Sequence, residues 1–133
     1  MTDPRPTTAT THGGRLGGRV ALVTGAGDRI GAAIATTFAE EGATVLVADV
    51  DDPAGRALAD ELVGLHGEGR ARAVHLDVSS EDEWQAVVAG VVAAHGGLDV
   101  AVNNAGIVVH ASLEECTLED YRRSVEVNQI GTF

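Results

Sequence analysis

The chain contains no lysine; all nine of its basic residues are arginine. Within these 133 residues that excludes Schiff-base chemistry, a phosphate-loop lysine and a tyrosine base assisted by lysine. Aromatic residues are scarce at 3% of the sequence, so an apolar core must be assembled from Val, Ala, Leu and Ile. A single cysteine, Cys116, permits no internal disulfide, which fits a reducing, cytoplasmic setting. Positive charge is also short, because twenty acidic residues leave a formal net charge of −11. Such a surface repels phosphate backbones and anionic headgroups, so neither a nucleic acid nor a membrane is an expected partner. No apolar run approaches the ~18 residues of a transmembrane helix. Residues 1–18 also lack the apolar stretch of a secretory signal. The five histidines lack ligand spacing, so no metal site is expected.

Glycine, by contrast, is abundant at 17 residues, and its placement organises the chain. Residues 1–18, rich in Thr, Gly, Pro and Arg, read as a flexible tail, with Leu16 tacking its end onto a domain of residues 19–133. Val20-Ala21-Leu22-Val23 is a short apolar run ending in Thr24-Gly25, as in a strand buried on both faces. Ile30, Ile34 and Phe38 then recur at helical spacing, and Gly42 stops that helix. Val45 to Ala48 forms a second buried strand ending at Asp49. Pro53 opens a helix with a Leu58, Leu62 and Leu65 stripe. Ala73 to Leu76 is a third strand, leading into Asp77-Val78.

Ser80 and Glu83 spell a capping box for a third helix whose face is Trp84, Val87, Val88 and Val91. Leu98 to Val102 is a fourth strand running into Asn103-Asn104, and Thr117 caps a last helix. Tyr121 is expected to pack on that helix's face, and Cys116 to act as a small apolar filler. Strands alternating with helices imply an α/β fold built on a parallel sheet with right-handed crossovers.

Three places carry chemistry. The segment Thr24 to Gly31 joins the first strand to the first helix. Its glycines let backbone approach a phosphate closely, and the helix N-terminus offers unbonded N–H groups. The spacing is not GxGxxG, since Gly31 follows Gly27 by four positions, and such turns also arise for steric reasons alone. Asp49, at the end of the second strand, can accept from both hydroxyls of a ribose, which a 2′-phosphate would oppose by charge, or can cap the turn before Pro53. Asp77 can accept from an adenine amino group or cap the turn before Ser80. Asn103-Asn104-Ala105-Gly106 ends the fourth strand, where paired amides can serve a ligand or lock neighbouring strands together.

Together, Thr24-Gly25-x-x-x-x-x-Gly31, Asp49, Asp77-Val78, Asn103-Asn104-Ala105-Gly106 and Val127-Asn128 resemble the short-chain dehydrogenase/reductase family over about residues 16–133. The resemblance implies a Rossmann-like, doubly wound parallel sheet, incomplete here, with strand order 3-2-1-4. It also implies that Gly25, Gly27, Asp28, Arg29, Ile30 and Gly31 hold a pyrophosphate and that Asp49 holds the adenosine ribose. Asp77 and Val78 would flank the adenine, and Asn104 would lie by the nicotinamide-side ribose. Asn128 matches the family's catalytic asparagine, whereas its serine and Tyr-x-x-x-Lys pair lie beyond Phe133.

Arg29 replaces a usual glycine; pterin-reducing, NADPH-using relatives look similar there, but Asp49 and Asp28 favour NAD over NADP. The implied function is the N-terminal part of an NAD(P)-dependent oxidoreductase acting on a small-molecule secondary alcohol or ketone. The parent enzyme would be a homo-oligomer, and the chain by itself would be inactive. The alternatives are a non-catalytic dinucleotide-binding or regulatory module and a methyltransferase. The long glycine spacing and the Asn103–Gly106 run argue against the last.

Overall fold

A computed structural model describes residues 13–133, so the expected tail falls outside the described residues over positions 1–12. The order of elements is β1 (Val20–Thr24), α1 (Arg29–Glu40), β2 (Thr44–Asp49), α2 (Asp52–His66), β3 (Ala71–His75), α3 (Glu81–His95), β4 (Val100–Val102) and α4 (Leu118–Asn128). A single 3-10 turn, Ile130–Thr132, follows. The strands form one parallel sheet in the order β3-β2-β1-β4, as the motifs imply.

Alternation along β1 and β2 explains why the sheet must be covered twice. Ala21, Val23, Val45 and Val47 enter one core with Ala35 and Ala39 of α1 and Ala59 and Leu62 of α2. Val20, Leu22, Leu46 and Ala48 enter a second core with Val91 of α3, against which Trp84, Val87 and, from α4, Val127 pack. Strands apolar on both faces are stable only between two layers of helices. Small residues on the buried side of α1, Gly31, Ala35 and Ala39, let that helix sit close to the sheet. Leu16 packs against the first core, and its amide donates to the Glu41 carbonyl at 2.9 Å.

Several boundaries and faces differ from the periodicity. β3 begins at Ala71 and ends at His75, not Leu76. As the outer strand of the sheet it accommodates the exposed Arg72 and His75, one on each face. β4 is only three residues long because Asp99 turns its carboxylate onto the neighbouring strand. Asp99 accepts from the Val20 amide at 2.9 Å and from the Arg19 guanidinium at 3.1 Å, while its own amide donates to the Val20 carbonyl at 2.9 Å. Ile30 is 70% exposed, and Leu65 and Val88 also face outward, so each expected stripe is narrower than its spacing suggests.

Tyr121, 64% exposed, does not pack as expected, and Cys116 fills no gap in the interior. Cys116 precedes α4 and Tyr121 lies near its start, whereas the α4 residue packed against the second core is Val127, near its end. At α4 the cap is reciprocal between Thr117 and Asp120, whereas at α3 only half of the expected box forms. The Ser80 hydroxyl accepts from the Glu83 amide at 3.3 Å, but the Glu83 carboxylate turns to the Asp77 amide instead.

Leu22 is fully buried in the central strand. Leu22→Ala is expected to lower unfolding stability by about 2–5 kcal/mol, read as a reduced urea midpoint with an unchanged slope.

Candidate functional site

The site is built where β1 and β4 end side by side. Thr24, the last residue of β1, is buried, and its hydroxyl donates to the Val102 carbonyl at 3.2 Å. The same oxygen accepts from the amides of Asn104 and Ala105 at 3.0 and 3.1 Å. One donor and two lone pairs are the full capacity of a hydroxyl, so this one is saturated. The Asn104 side chain completes the joint by donating to the carbonyls of Thr24 and Gly25 at 3.0 and 3.1 Å. Of the two roles open to Asn104, strand locking is therefore realised in the structure, while the residue still faces the cleft. Asn103 donates to the Thr132 carbonyl at 3.3 Å and so holds the 3-10 turn.

The glycine turn is shaped by this joint. Gly25 has φ +60, and a Cβ on it would come within 2.8 Å of the Ala105 backbone. A Cβ on Gly31 would collide with the Gly25 carbonyl oxygen and approach the Asn104 amide at 2.6 Å. Asp28 caps α1 by accepting from the Arg29 amide at 2.7 Å. Arg29 is the non-glycine residue with positive φ, +48, among the described residues. That left-handed geometry costs an L-residue roughly 1–2 kcal/mol. Its guanidinium pairs with Asp28 at 3.3 Å. The amides of Ile30 and Gly31, in the first turn of α1, find no acceptor among the described residues. They are the unbonded donors that a helix N-terminus presents to an anion.

Two carboxylates face this turn. Asp49 accepts from the Gly27 amide at 2.8 Å and from the Asp51 amide at 2.9 Å, one bond per oxygen. It thereby ties the end of β2 to the glycine turn. Asp77 accepts through one oxygen from both the Ser79 hydroxyl, at 2.6 Å, and the Ser79 amide, at 2.9 Å. These bonds hold its carboxyl below the usual range, with a smaller contribution from the Arg123 charge.

The result is a cleft of about 410 Å³ at the C-terminal ends of the strands. From the glycine turn it is lined by Gly25, Asp28, Arg29, Ile30 and Gly31. Asp49, Asp77, Val78 and Asn104 line it from the ends of the other strands. Two expected residues stand behind the wall. Gly27 holds Asp49, and Asn128 brackets the backbone of Ile107, accepting from its amide and donating to its carbonyl, both at 2.8 Å. Sequence reasoning missed Ile107 and Arg123, which also line the cleft, and gave Val127 only as a motif residue without a place in it. The signal was available for two of them: Arg123 and Val127 are four residues apart on α4 and share a helix face with each other.

Replacing Thr24 by valine keeps its shape and removes all three bonds. Thr24→Val is expected to cost about 1–3 kcal/mol, measured by thermal unfolding, because the Ala105 amide loses its acceptor and the Asn104 amide is left with the Val102 carbonyl alone.

The chain resembles known proteins along almost its whole length. A short chain dehydrogenase family model matches residues 19–133. A trans-4-hydroxycyclohexanecarboxylate dehydrogenase of Sinomonas cyclohexanicum is 39% identical over 123 residues, covering 90% of this chain and 48% of that protein. A 3-alpha-(or 20-beta)-hydroxysteroid dehydrogenase of Mycobacterium bovis is 42% identical over 120 residues, covering 90% of this chain and 44% of that protein. Among solved structures, a short-chain type dehydrogenase/reductase from Mycobacterium marinum superposes with a TM-score of 0.82 at 36% identity, over 89% of this chain and 47% of that one. The chain thus spans about half the length of the curated relatives it matches. The sheet order, the glycine turn and these similarities lead to one assignment: the chain belongs to the short-chain dehydrogenase family.

Proposed function

We propose that the chain forms the cofactor-holding part of an NAD-dependent oxidoreductase that moves a hydride between a nicotinamide cofactor and a secondary alcohol or ketone. The observation that carries this reading is the cleft itself, which opens between β1 and β4 where the strand order reverses direction. Open α/β sheets bind their ligands at such a switch point. The residues present fit a dinucleotide. The unbonded amides of Ile30 and Gly31 suit a pyrophosphate, and Gly25 and Gly31 keep the turn free of side chains that the space could not hold.

Asp49 offers acceptors to the ribose hydroxyls, since each of its oxygens carries one bond and retains a second lone pair. A 2′-phosphate there would set negative charge against negative charge, which is the ground for NAD over NADP. Asp77 would accept from the adenine amino group through the oxygen that Ser79 does not use, with Val78 against the ring. Asn104 would stand by the nicotinamide-side ribose. Asn128 would act in the catalytic set, its present bonds to Ile107 orienting the loop after β4. When bound, the nicotinamide supplies the hydride acceptor or donor.

The family's tyrosine and lysine are not among these residues: the chain has no lysine, and the fourth residue after Tyr121 is Val125. The 133-residue chain alone is therefore proposed to bind cofactor without turnover. Two relatives are named as dehydrogenases of hydroxylated compounds, which supports an alcohol or ketone as the small-molecule substrate. A homo-oligomeric, cytoplasmic parent enzyme belongs to the same proposal. So does the absence of nucleic-acid and membrane partners, for which the net charge of −11 is the support. Among the described residues no helix is long and apolar enough to cross a membrane.

Thermal melting with NAD, NADPH or S-adenosylmethionine is expected to show the largest stabilisation with NAD; a shift with S-adenosylmethionine alone would sink the assignment. Asp49→Ala is expected to narrow the preference for NAD over NADP by roughly tenfold, equivalent to ~1.4 kcal/mol of relieved repulsion, as read by titration calorimetry. In a spectrophotometric assay with NAD and secondary alcohols, the chain alone is expected to form no NADH. Turnover in the usual enzymatic range, ~1–10³ s⁻¹, would contradict that expectation.

A further inference from the structure

The cap of α3 leaves one bond to be explained. Glu83 occupies the third position of the helix, from which a glutamate ordinarily reaches back to the amide of the capping residue. Here the Ser80 amide is taken by the Asp77 carbonyl at 2.9 Å, and the Glu83 carboxylate instead accepts from the Asp77 amide at 2.6 Å. That bond straps the first turn of α3 to a residue whose side chain, with that of Val78, forms one edge of the cleft. Behind the strap stands His75. Its Nδ1 lies 2.7 Å from Asp52 at the start of α2, and its Nε2 lies 3.8 Å from the same Glu83 oxygen that holds Asp77. Asp52, His75, Glu83 and Asp77 thus run in series over the end of β3, joining the N-termini of α2 and α3.

We propose that Glu83 and His75 are positioning residues for the adenine-side edge of the cleft, and that dinucleotide binding weakens as His75 loses its proton. This rests on the reading of the cleft as a dinucleotide site. A neutral imidazole has one N–H and one lone pair, whereas the imidazolium donates from both nitrogens. With Nδ1–H committed to Asp52, a neutral His75 turns a lone pair towards the Glu83 carboxylate and pushes it off its place. The imidazolium attracts that carboxylate and keeps it under the Asp77 amide. The surroundings of His75 favour the charged form. Asp52, Asp51 and Asp49 border it on the α2 side together with Arg56, which is itself paired with Asp52 at 3.7 Å. Glu83 approaches from α3, Asp77 follows on its own segment, and Arg72 and His95 share the groove on its other side.

The bond to Asp52, and then the charges of Asp52, Glu83 and Asp77, raise the imidazole above its ordinary value of 6.5. The sign follows: the clamp is complete below that ordinary value and is lost as pH rises through the raised one. His75 is 51% exposed, so water screens the pair and the effect on affinity is severalfold, not orders of magnitude.

The test is NAD affinity of the 133-residue chain by titration calorimetry across the histidine range and somewhat above it, about pH 5 to 8 and beyond. The proteins are the wild type, His75→Gln, Glu83→Ala and Glu83→Gln. The wild type is expected to bind severalfold more weakly as pH rises, and His75→Gln to lose that dependence. Glu83→Ala is expected to weaken binding severalfold throughout. Glu83→Gln, whose amide oxygen still accepts from the Asp77 N–H, is expected to regain most of it. A second measurement needs no cofactor: the hydrogen-exchange protection factor of the Asp77 amide is expected to be high in the wild type at low pH and to collapse in Glu83→Ala. Identical pH profiles for wild type and His75→Gln overturn the proposal, as does undiminished Asp77 protection in Glu83→Ala. Loss of protection with no NAD binding at any pH leaves the positioning role standing and overturns the functional reading instead.

Discussion

The hydroxyl of Thr24 and the side-chain amide of Asn104 together decide where everything else in the site can stand. Between them they satisfy the backbone at the ends of β1 and β4, two segments about eighty residues apart in the chain. Thr24 is buried and the joint around it half-buried, so an unmet donor or acceptor there carries a desolvation cost. Because it brings the backbone of Asn104 and Ala105 against Gly25, a side chain on Gly25 has no room. Because Gly31 packs into the same corner, α1 starts at the mouth of the sheet, and its first residues, Arg29, Ile30 and Gly31, line the cleft. The glycines of the turn are thus a consequence of strand joining, whatever the cleft holds.

The electrostatics of the cleft follow from the ends of the strands. Asp49 ends β2 and Asp77 lies two residues beyond β3, and each spends part of its carboxylate on nearby amides, which fixes its direction. Asp28 caps α1 and holds Arg29, so the acidic side chains at the turn are not bare charges. Arg123 enters from α4 as a cation in the cleft lining whose charge reaches Asp77. In a chain of net charge −11, Arg29, Arg123 and the unbonded helix amides are the positive features of the cleft.

Much of this was readable from local chemistry. Apolar runs of Val, Ala and Leu marked β1 and β2, Thr117 and Asp120 marked the start of α4, and the motifs placed the glycine turn and Asp49 at one mouth. The departures share a cause. Ile30, Leu65 and Tyr121 sit at apolar positions of helical stripes, but a stripe reports which face turns inward and not how far the opposing layer extends. Glu83 fits a capping box by spacing, yet the competing donor, the Asp77 amide, is brought to it only by the turn after β3. Arg123 carried no motif at all; it matters because α4 folds back over the cleft.

The amino-acid sequence by itself determined the alternation of strands and helices, the two-faced burial of the central strands and the family membership. Those depend on periodicity and on residue types at short range, which a linear reading holds in full. Only the tertiary structure decided what each polar group is bonded to: that Asn104 locks strands, that Gly27 and Asn128 stand behind the cleft wall, and that Glu83 supports Asp77. A hydrogen bond is directional and short-ranged, and most side-chain amides and carboxylates have several partners within reach of the same sequence. Which partner wins is settled by distances between segments far apart in the chain, and those exist only once the sheet has closed.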